Sequence, residues 1–258
     1  MKIYNHIVFP FAFLLFSLAG VMGATSVSYK TDLDFLWLPS WDSSDTLTIV
    51  AFGNSITAER STIKQVFAQR LPQLLNNHGI ESHVTNSGIP GSHTGSVKDN
   101  NLFKIRHGRD RFETDVLSYH PDLVIIGFGT NDSYIDNKIK KGEPRIPIKN
   151  YKENLEFFIT QLKSNGSEVI LIAPNILGDK FPDFQNKWLL RYVKTVRKLA
   201  KKHKTGLVDN YKLFIEYEKN SGSSFDDLML DGCHPNDKGH ELIANHLVAE
   251  ILKVLCTK

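Results

Sequence analysis

The sequence predicts an α/β protein, a three-layer α/β/α sandwich built on a five-stranded parallel sheet. Three observations carry that expectation. Near-continuous apolar runs recur along the chain, as TLTIVAF at 46–52, DLVIIGFG at 122–129 and EVILIAP at 168–174, and such runs suit strands buried on both faces. Segments of helical period separate them, the alternation that builds parallel sheets with helices on both sides. Hydrophobic residues make up 41% of the chain, which supplies a core and excludes a disordered protein. A length of 258 residues fits one large domain or a domain with a short appendage.

In order, the chain opens with Lys2 and His6, an apolar run from Ile7 to Gly20, and small residues near Gly23. This pattern reads as a signal peptide over 1–23. Pro10 interrupts the run, and it is shorter than the roughly 20 apolar residues of a spanning helix. No cysteine follows it, which disfavours the bacterial lipoprotein route. A leader at 24–45 then precedes the domain proper at 46–258. No other segment has spanning length, so the expectation is an exported protein, extracellular or periplasmic, with no stable membrane insertion.

Within the domain, strand 46–52 is followed by a helix at 63–77, in which Pro72 should produce a kink or a break. SHVTNSG supplies a strand ending at Asn86, and residues 109–118 a helix. Strand 122–129, helix 150–163, strand 168–174, a basic helix at 184–204 and a short strand at 206–210 follow. The last helix, 238–254, places Leu242, Ile243, His246, Leu247, Ile251 and Leu255 on one stripe. It spans about 25 Å and separates Cys233 from Cys256, whereas a disulfide needs Cα atoms within about 7 Å. Two free thiols are therefore expected. Two connections are long, 88–108 and 130–149. Both start where strands end, the edge at which such folds place their sites.

Several function classes are disfavoured. Net charge is only +3, too small for a dedicated nucleic-acid binder. Lys187, Arg191, Lys194, Lys198, Lys201 and Lys202 look like the solvent face of a helix whose other side is apolar. Two cysteines cannot form a disulfide scaffold or a four-cysteine zinc site. Asp226, Asp227 and Asp231 lack calcium-loop spacing, so neither metal nor cofactor is expected.

Four short blocks carry the chemistry: Gly53-Asn54-Ser55-Ile56-Thr57, Asn86 to Gly91, Gly129-Thr130-Asn131-Asp132, and Asp231 to Asn236. The first three end strands and the fourth precedes the last helix, so a parallel sheet would gather them at one edge. There Ser55 would be a nucleophile, His234 its base, and Asp231 the group that fixes the imidazole tautomer. The N–H groups of Ser55 and Gly88 and the Asn131 amide would receive the charge of a tetrahedral intermediate. In these blocks, and in their order from Thr46 to Leu255, the sequence resembles the SGNH hydrolases, the GDSL-like lipase/esterase superfamily. That resemblance implies a flavodoxin-like fold and the same roles for Ser55, Gly88, Asn131, Asp231 and His234. Asn54 departs from the family's usual aspartate, keeping an acceptor but losing the charge.

The superfamily implies esters of lipids, thioesters, lysophospholipids or acetylated sugars. Export and the polar loop 91–108 favour a carbohydrate O-acetyl ester. Asn54, His93, Arg106, His107 and Tyr134 are the candidate substrate-binding residues. A lipolytic or thioester-cleaving enzyme is the alternative, and an inactive carbohydrate-binding protein is the alternative of another class. If the producing cell glycosylates, Asn165 in Asn-Gly-Ser is the better acceptor.

Overall fold

The computed structural model describes residues 46–136 and 142–256. The signal peptide and leader expected at 1–45 lie outside the described residues. Five parallel strands form one sheet: β1 (Leu47–Gly53), β2 (Ser82–Gly88), β3 (Leu123–Gly127), β4 (Glu168–Ala173) and β5 (Gly206–Asp209), in spatial order β2-β1-β3-β4-β5. The helices are α1 (Phe67–Asn76), α2 (Gly108–Asp115), α3 (Thr130–Ser133), α4 (Ile148–Ser164), α5 (Asp183–His203), α6 (Asn210–Ser221) and α7 (Asp237–Cys256).

Alternate strand residues point to opposite faces, and both faces are covered. Leu47, Ile49, Ala51, Leu123, Ile125, Ile170, Ile172 and Val208 pack with α1, α6 and α7 in one core. Val50, Phe52, Val124, Ile126, Val169 and Leu171 pack with α2, α4 and α5 in the other. This is the three-layer sandwich expected of strands that are apolar at nearly every position.

The first helix starts at Phe67 rather than Ile63, for a reason far away in sequence. The N–H groups of Lys64 and Gln65 donate to the Asp237 carboxylate at 3.0 and 3.3 Å, and that of Phe67 donates to His240 Nδ1 at 3.2 Å. Val66 N–H donates to Gln69 Oε1 at 2.9 Å. Amides that no helical carbonyl accepts are thus satisfied by α7 and by the first turn itself. Pro72 sits inside α1 without ending it.

Helix α6 was not expected from the pattern. Its signals lie at its ends: Asp209 accepts the Lys212 N–H at 3.2 Å, and Gly222 closes it at φ +69°. Phe214 is its fully buried anchor. The short α3 likewise occupies the start of the connection expected to be a loop. In α7, His240 rather than His246 faces the core: His240 is buried and His246 is exposed. Both cysteines are free.

This correction to the last helix is measurable. Leu247→Ala should lower the unfolding free energy by about 2–5 kcal/mol in a denaturant titration, while His246→Ala should change it by no more than about 0.5 kcal/mol.

Candidate active site

Strand β1 delivers the chain to a tight turn at the carboxyl edge of the sheet. Asn54 is buried, its Oδ1 accepts the Ile56 N–H at 2.9 Å, and its carbonyl accepts the N–H groups of Thr57 and Ala58. It therefore braces the turn and does not line the cleft around Ser55, where a binding role was expected of it. The turn leaves Ser55 half-buried, and the Ser55 N–H donates to no described residue.

The partner loop is a compact reversal. Met229 pairs with Pro235, Leu230 N–H donates to the His234 carbonyl at 2.8 Å, and Gly232 turns the chain at φ +80°. Asp231 holds this loop through one oxygen, which accepts the N–H groups of Cys233 at 3.0 Å and His234 at 2.8 Å. Its other oxygen lies 2.8 Å from His234 Nδ1. A carboxylate only accepts, so Nδ1 carries the proton and Nε2 is left as an acceptor. His234 Nε2 lies 2.9 Å from Ser55 Oγ. Burial opposes ionisation of Asp231, but the hydrogen bonds from His234 and Cys233 outweigh it and hold the carboxyl below its usual range. Burial pushes the neighbouring Cys233 thiol up to about 12, so it stays protonated at neutral pH.

The glycine assignment is corrected. Gly88 N–H donates to Asn86 Oδ1 at 3.0 Å, and a Cβ on Gly88 would lie 2.2 Å from the Ala58 nitrogen. Gly88 is thus needed for the close approach of the serine turn to β2, and its N–H is already engaged. Gly91, at φ +79°, lines the same cleft as Ser55, Asn131 and His234, and its N–H donates to no described residue. Asn131 donates from Nδ2 to the Ser92 carbonyl at 3.0 Å and accepts at Oδ1 from Arg145 Nη1 at 3.1 Å. The two contacts fix which end of the amide is nitrogen and leave a second Nδ2 hydrogen for a ligand. Three donors are therefore available beside Ser55: its own N–H, that of Gly91, and the Asn131 amide.

Arg145 gave no signal in the sequence. Asp136 holds its Nε at 3.0 Å, and its guanidinium lies 4.8 Å from the Phe103 ring centre and 4.7 Å from that of Tyr134. Arg111 was missed too. Fully buried, it donates to the carbonyls of Gly53 and Ser87, each at 2.7 Å, and so ties together the ends of β1 and β2.

An open cleft of about 490 Å³ surrounds Ser55 and His234, with Phe103, Tyr134, Phe181 and Pro90 among its walls. Of the five candidate binding residues, only Tyr134 lines it. Arg106 is exposed and donates to the Asp110 carbonyl and Thr114 Oγ1, each at 2.8 Å, along α2. His93 and His107 are buried and stacked, with ring centres 3.5 Å apart. They fasten the 88–108 connection with Thr94, whose N–H donates to Asp132 Oδ1 at 2.8 Å. Burial raises the Asp132 carboxyl to about 6. Among the described residues, no group of three His, Cys, Asp or Glu side chains gathers to hold a metal ion.

Residues 51–242 match the model of the GDSL-like Lipase/Acylhydrolase family. The uncharacterized lipoprotein YqeF of Bacillus subtilis is 29% identical over 62% of this chain and 70% of its own length. An acetylxylan esterase of Geobacillus stearothermophilus is 26% identical over 65% of this chain and 71% of its own. The crystal structure of a lipase/acylhydrolase from Enterococcus faecalis has a TM-score of 0.63 at 28% identity, covering 81% of this chain and 96% of that one.

The stacked histidines give a test of stability against pH. Burial, then the neighbouring His107, pushes His93 down to about 4, and burial also lowers His107. An unfolded histidine titrates near 6.5, so between those values the unfolded chain binds more protons, and stability falls as pH drops from about 6.5 through about 4. His240, lowered to about 3 by burial, adds to the same trend. Asp132 opposes it, its contribution being present below about 3.8 and lost as pH rises through about 6. His93→Phe should keep the stack and flatten the loss between pH 6.5 and 4 in urea titrations. An unchanged slope would show that His93 is not held neutral.

Proposed function

The chain belongs to the GDSL-like lipase/acylhydrolase family and is a carboxylic ester hydrolase of that family; on that premise we propose that it is an exported serine esterase removing O-acetyl groups from carbohydrates through an acyl-serine intermediate. The observation that carries the mechanism is the hydrogen-bonded chain from Ser55 Oγ through His234 to Asp231, at 2.9 and 2.8 Å. Ser55 attacks the ester carbonyl as His234 Nε2 accepts its proton, and the carbonyl electron pair moves onto oxygen. The Ser55 and Gly91 N–H groups and the Asn131 amide receive that charge. The intermediate collapses, the carbon–alcohol oxygen bond breaks, and His234 returns the proton to the departing alcohol. Water, deprotonated by the same imidazole, then attacks the acyl-serine and releases the acid and free Ser55. Asp231 keeps the imidazole in the required tautomer and favours its charged form.

Two features support a sugar ester. One of the curated relatives is an acetylxylan esterase. The cleft is open, with the rings of Phe103, Tyr134 and Phe181 beside polar groups, an arrangement suited to a sugar with apolar ring faces and hydroxyl edges. A second reading, cleavage of longer acyl esters, draws on the similarity to a lipase/acylhydrolase and on the exposed Phe103 in the cleft wall. The intact Ser55–His234–Asp231 chain weighs against an inactive binding protein, which has no need of it. The signal-like run at 1–23 and the kinship with a lipoprotein support export. Among the described residues, no helix is long and apolar enough to cross a membrane.

Initial rates on 4-nitrophenyl acetate and octanoate, with wild type and Ser55→Ala, test the reading. A Ser55-dependent preference for acetate is expected. Equal or faster octanoate cleavage would favour the longer-acyl reading, and rates independent of Ser55 would remove the mechanism. Asn131→Ala should lower kcat by about 10²–10³-fold. Arg145→Met, which frees the Asn131 amide to rotate, should lower kcat by about tenfold while leaving KM for the small acetate ester within about twofold. A rise in KM of about tenfold with kcat unchanged would instead place Arg145 in substrate binding.

A further inference from the structure

Every arginine among the described residues except one has a partner. Arg70, Arg111, Arg145 and Arg197 pair with carboxylates, and Arg106 donates to a carbonyl and a hydroxyl. Arg109 lies over the Phe157 ring and Arg191 over that of Trp188. The Arg60 side chain has neither an ion pair, nor a hydrogen bond, nor a ring beneath it among the described residues, although Arg60 is half-buried and its Nη1 is covered and unpartnered. A guanidinium cannot lose its proton to escape this position, and a buried donor without an acceptor is unfavourable. Such an exception calls for a physical reason.

Its location supplies one. Arg60 lines the same cleft as Ser55 and His234. The other charged groups there already have partners: Asp136 pairs with Arg145, and Asp231 accepts hydrogen bonds from the His234 ring and two backbone N–H groups. Arg60 is thus the charged side chain in the cleft that has no partner among the described residues, and its planar fork suits an oxyanion. We infer that Arg60 anchors a carboxylate or sulfate on the substrate, so that the preferred esters are O-acetylated acidic sugars. This rests on the reading given under Proposed function. Because the acyl group in that reading is acetyl, the charge has to sit on the alcohol side of the ester.

Matched pairs of esters test the inference. One pair is a mono-O-acetylated methyl glucuronoside and its neutral methyl ester. The other is a mono-O-acetylated methyl glucoside with and without a 6-sulfate. Wild type should cleave the charged member of at least one pair with kcat/KM about tenfold higher, chiefly through KM, and the pair with the larger ratio names the oxyanion. Arg60→Gln should bring the ratio to about one, Arg60→Lys should retain part of it, and added salt should reduce it in wild type. Because the readout is a ratio within one preparation, loss of folded protein does not mimic the effect. A wild-type ratio near one in both pairs, or a ratio unchanged in Arg60→Gln, would overturn the inference while leaving the sugar-ester reading intact. Ser55-dependent cleavage of 4-nitrophenyl acetate with no cleavage of any sugar ester would overturn both.

Discussion

A row of three glycines at the carboxyl edge of the sheet is the constraint on which the site depends. Gly53 pairs with Gly88 on one side and with Gly127 on the other. The turn carrying Ser55 folds back directly over this row. A Cβ on Gly53 would lie 2.1 Å from Thr57 Oγ1, and one on Gly88 would lie 2.2 Å from the Ala58 nitrogen. Without side chains there, the backbone descends onto the sheet and the serine is presented above it. Arg111 then ties the first two members of the row by bonding to the Gly53 and Ser87 carbonyls. This is the close-approach use of glycine, achieved here without positive φ at Gly53 or Gly88.

Around that edge, each reacting group is held by a second polar group. The Asp231 carboxylate serves both its own loop and the His234 ring. Asn131 is gripped between the Ser92 carbonyl and Arg145. The Asp132 carboxylate draws in Thr94, and the stacked His93 and His107 close the same connection. The 88–108 connection is therefore held in place by its own polar side chains. Of the polar residues expected to bind substrate, His93 and His107 are instead buried against each other and Arg106 bonds along α2, so none of the three lines the cleft.

The features that were legible share one property: each is marked by residues close together in the chain. Ile49, Val124 and Ile170 sit in apolar runs, and the alternating helices left only a parallel sheet to bury them. Ser55, Asn131, Asp231 and His234 were singled out because each lies in a short block at the end of a strand or before a helix. Helix α6 was missed although Asp209 and Gly222 mark its ends, because its apolar pattern is interrupted by charged residues. The choice between Gly88 and Gly91 was not legible, since both lie in one six-residue block. Only hydrogen bonding separates an engaged Gly88 N–H from a free one at Gly91.

The sequence by itself determined the layers, the edge of the sheet where the site lies and the identity of the groups that meet there, because burial and chain direction are encoded in residues close to one another. The tertiary structure alone decided where α1 begins, which imidazoles are sequestered, and which arginines bear on the cleft. Each of those depends on a partner remote along the chain, Asp237 for the amides of Lys64 and Gln65 and Asn131 for the guanidinium of Arg145. For Arg60 it depends on the side chain finding no partner among the described residues. Such pairings are fixed by how the loops pack over the sheet edge, and no local pattern in the chain records them.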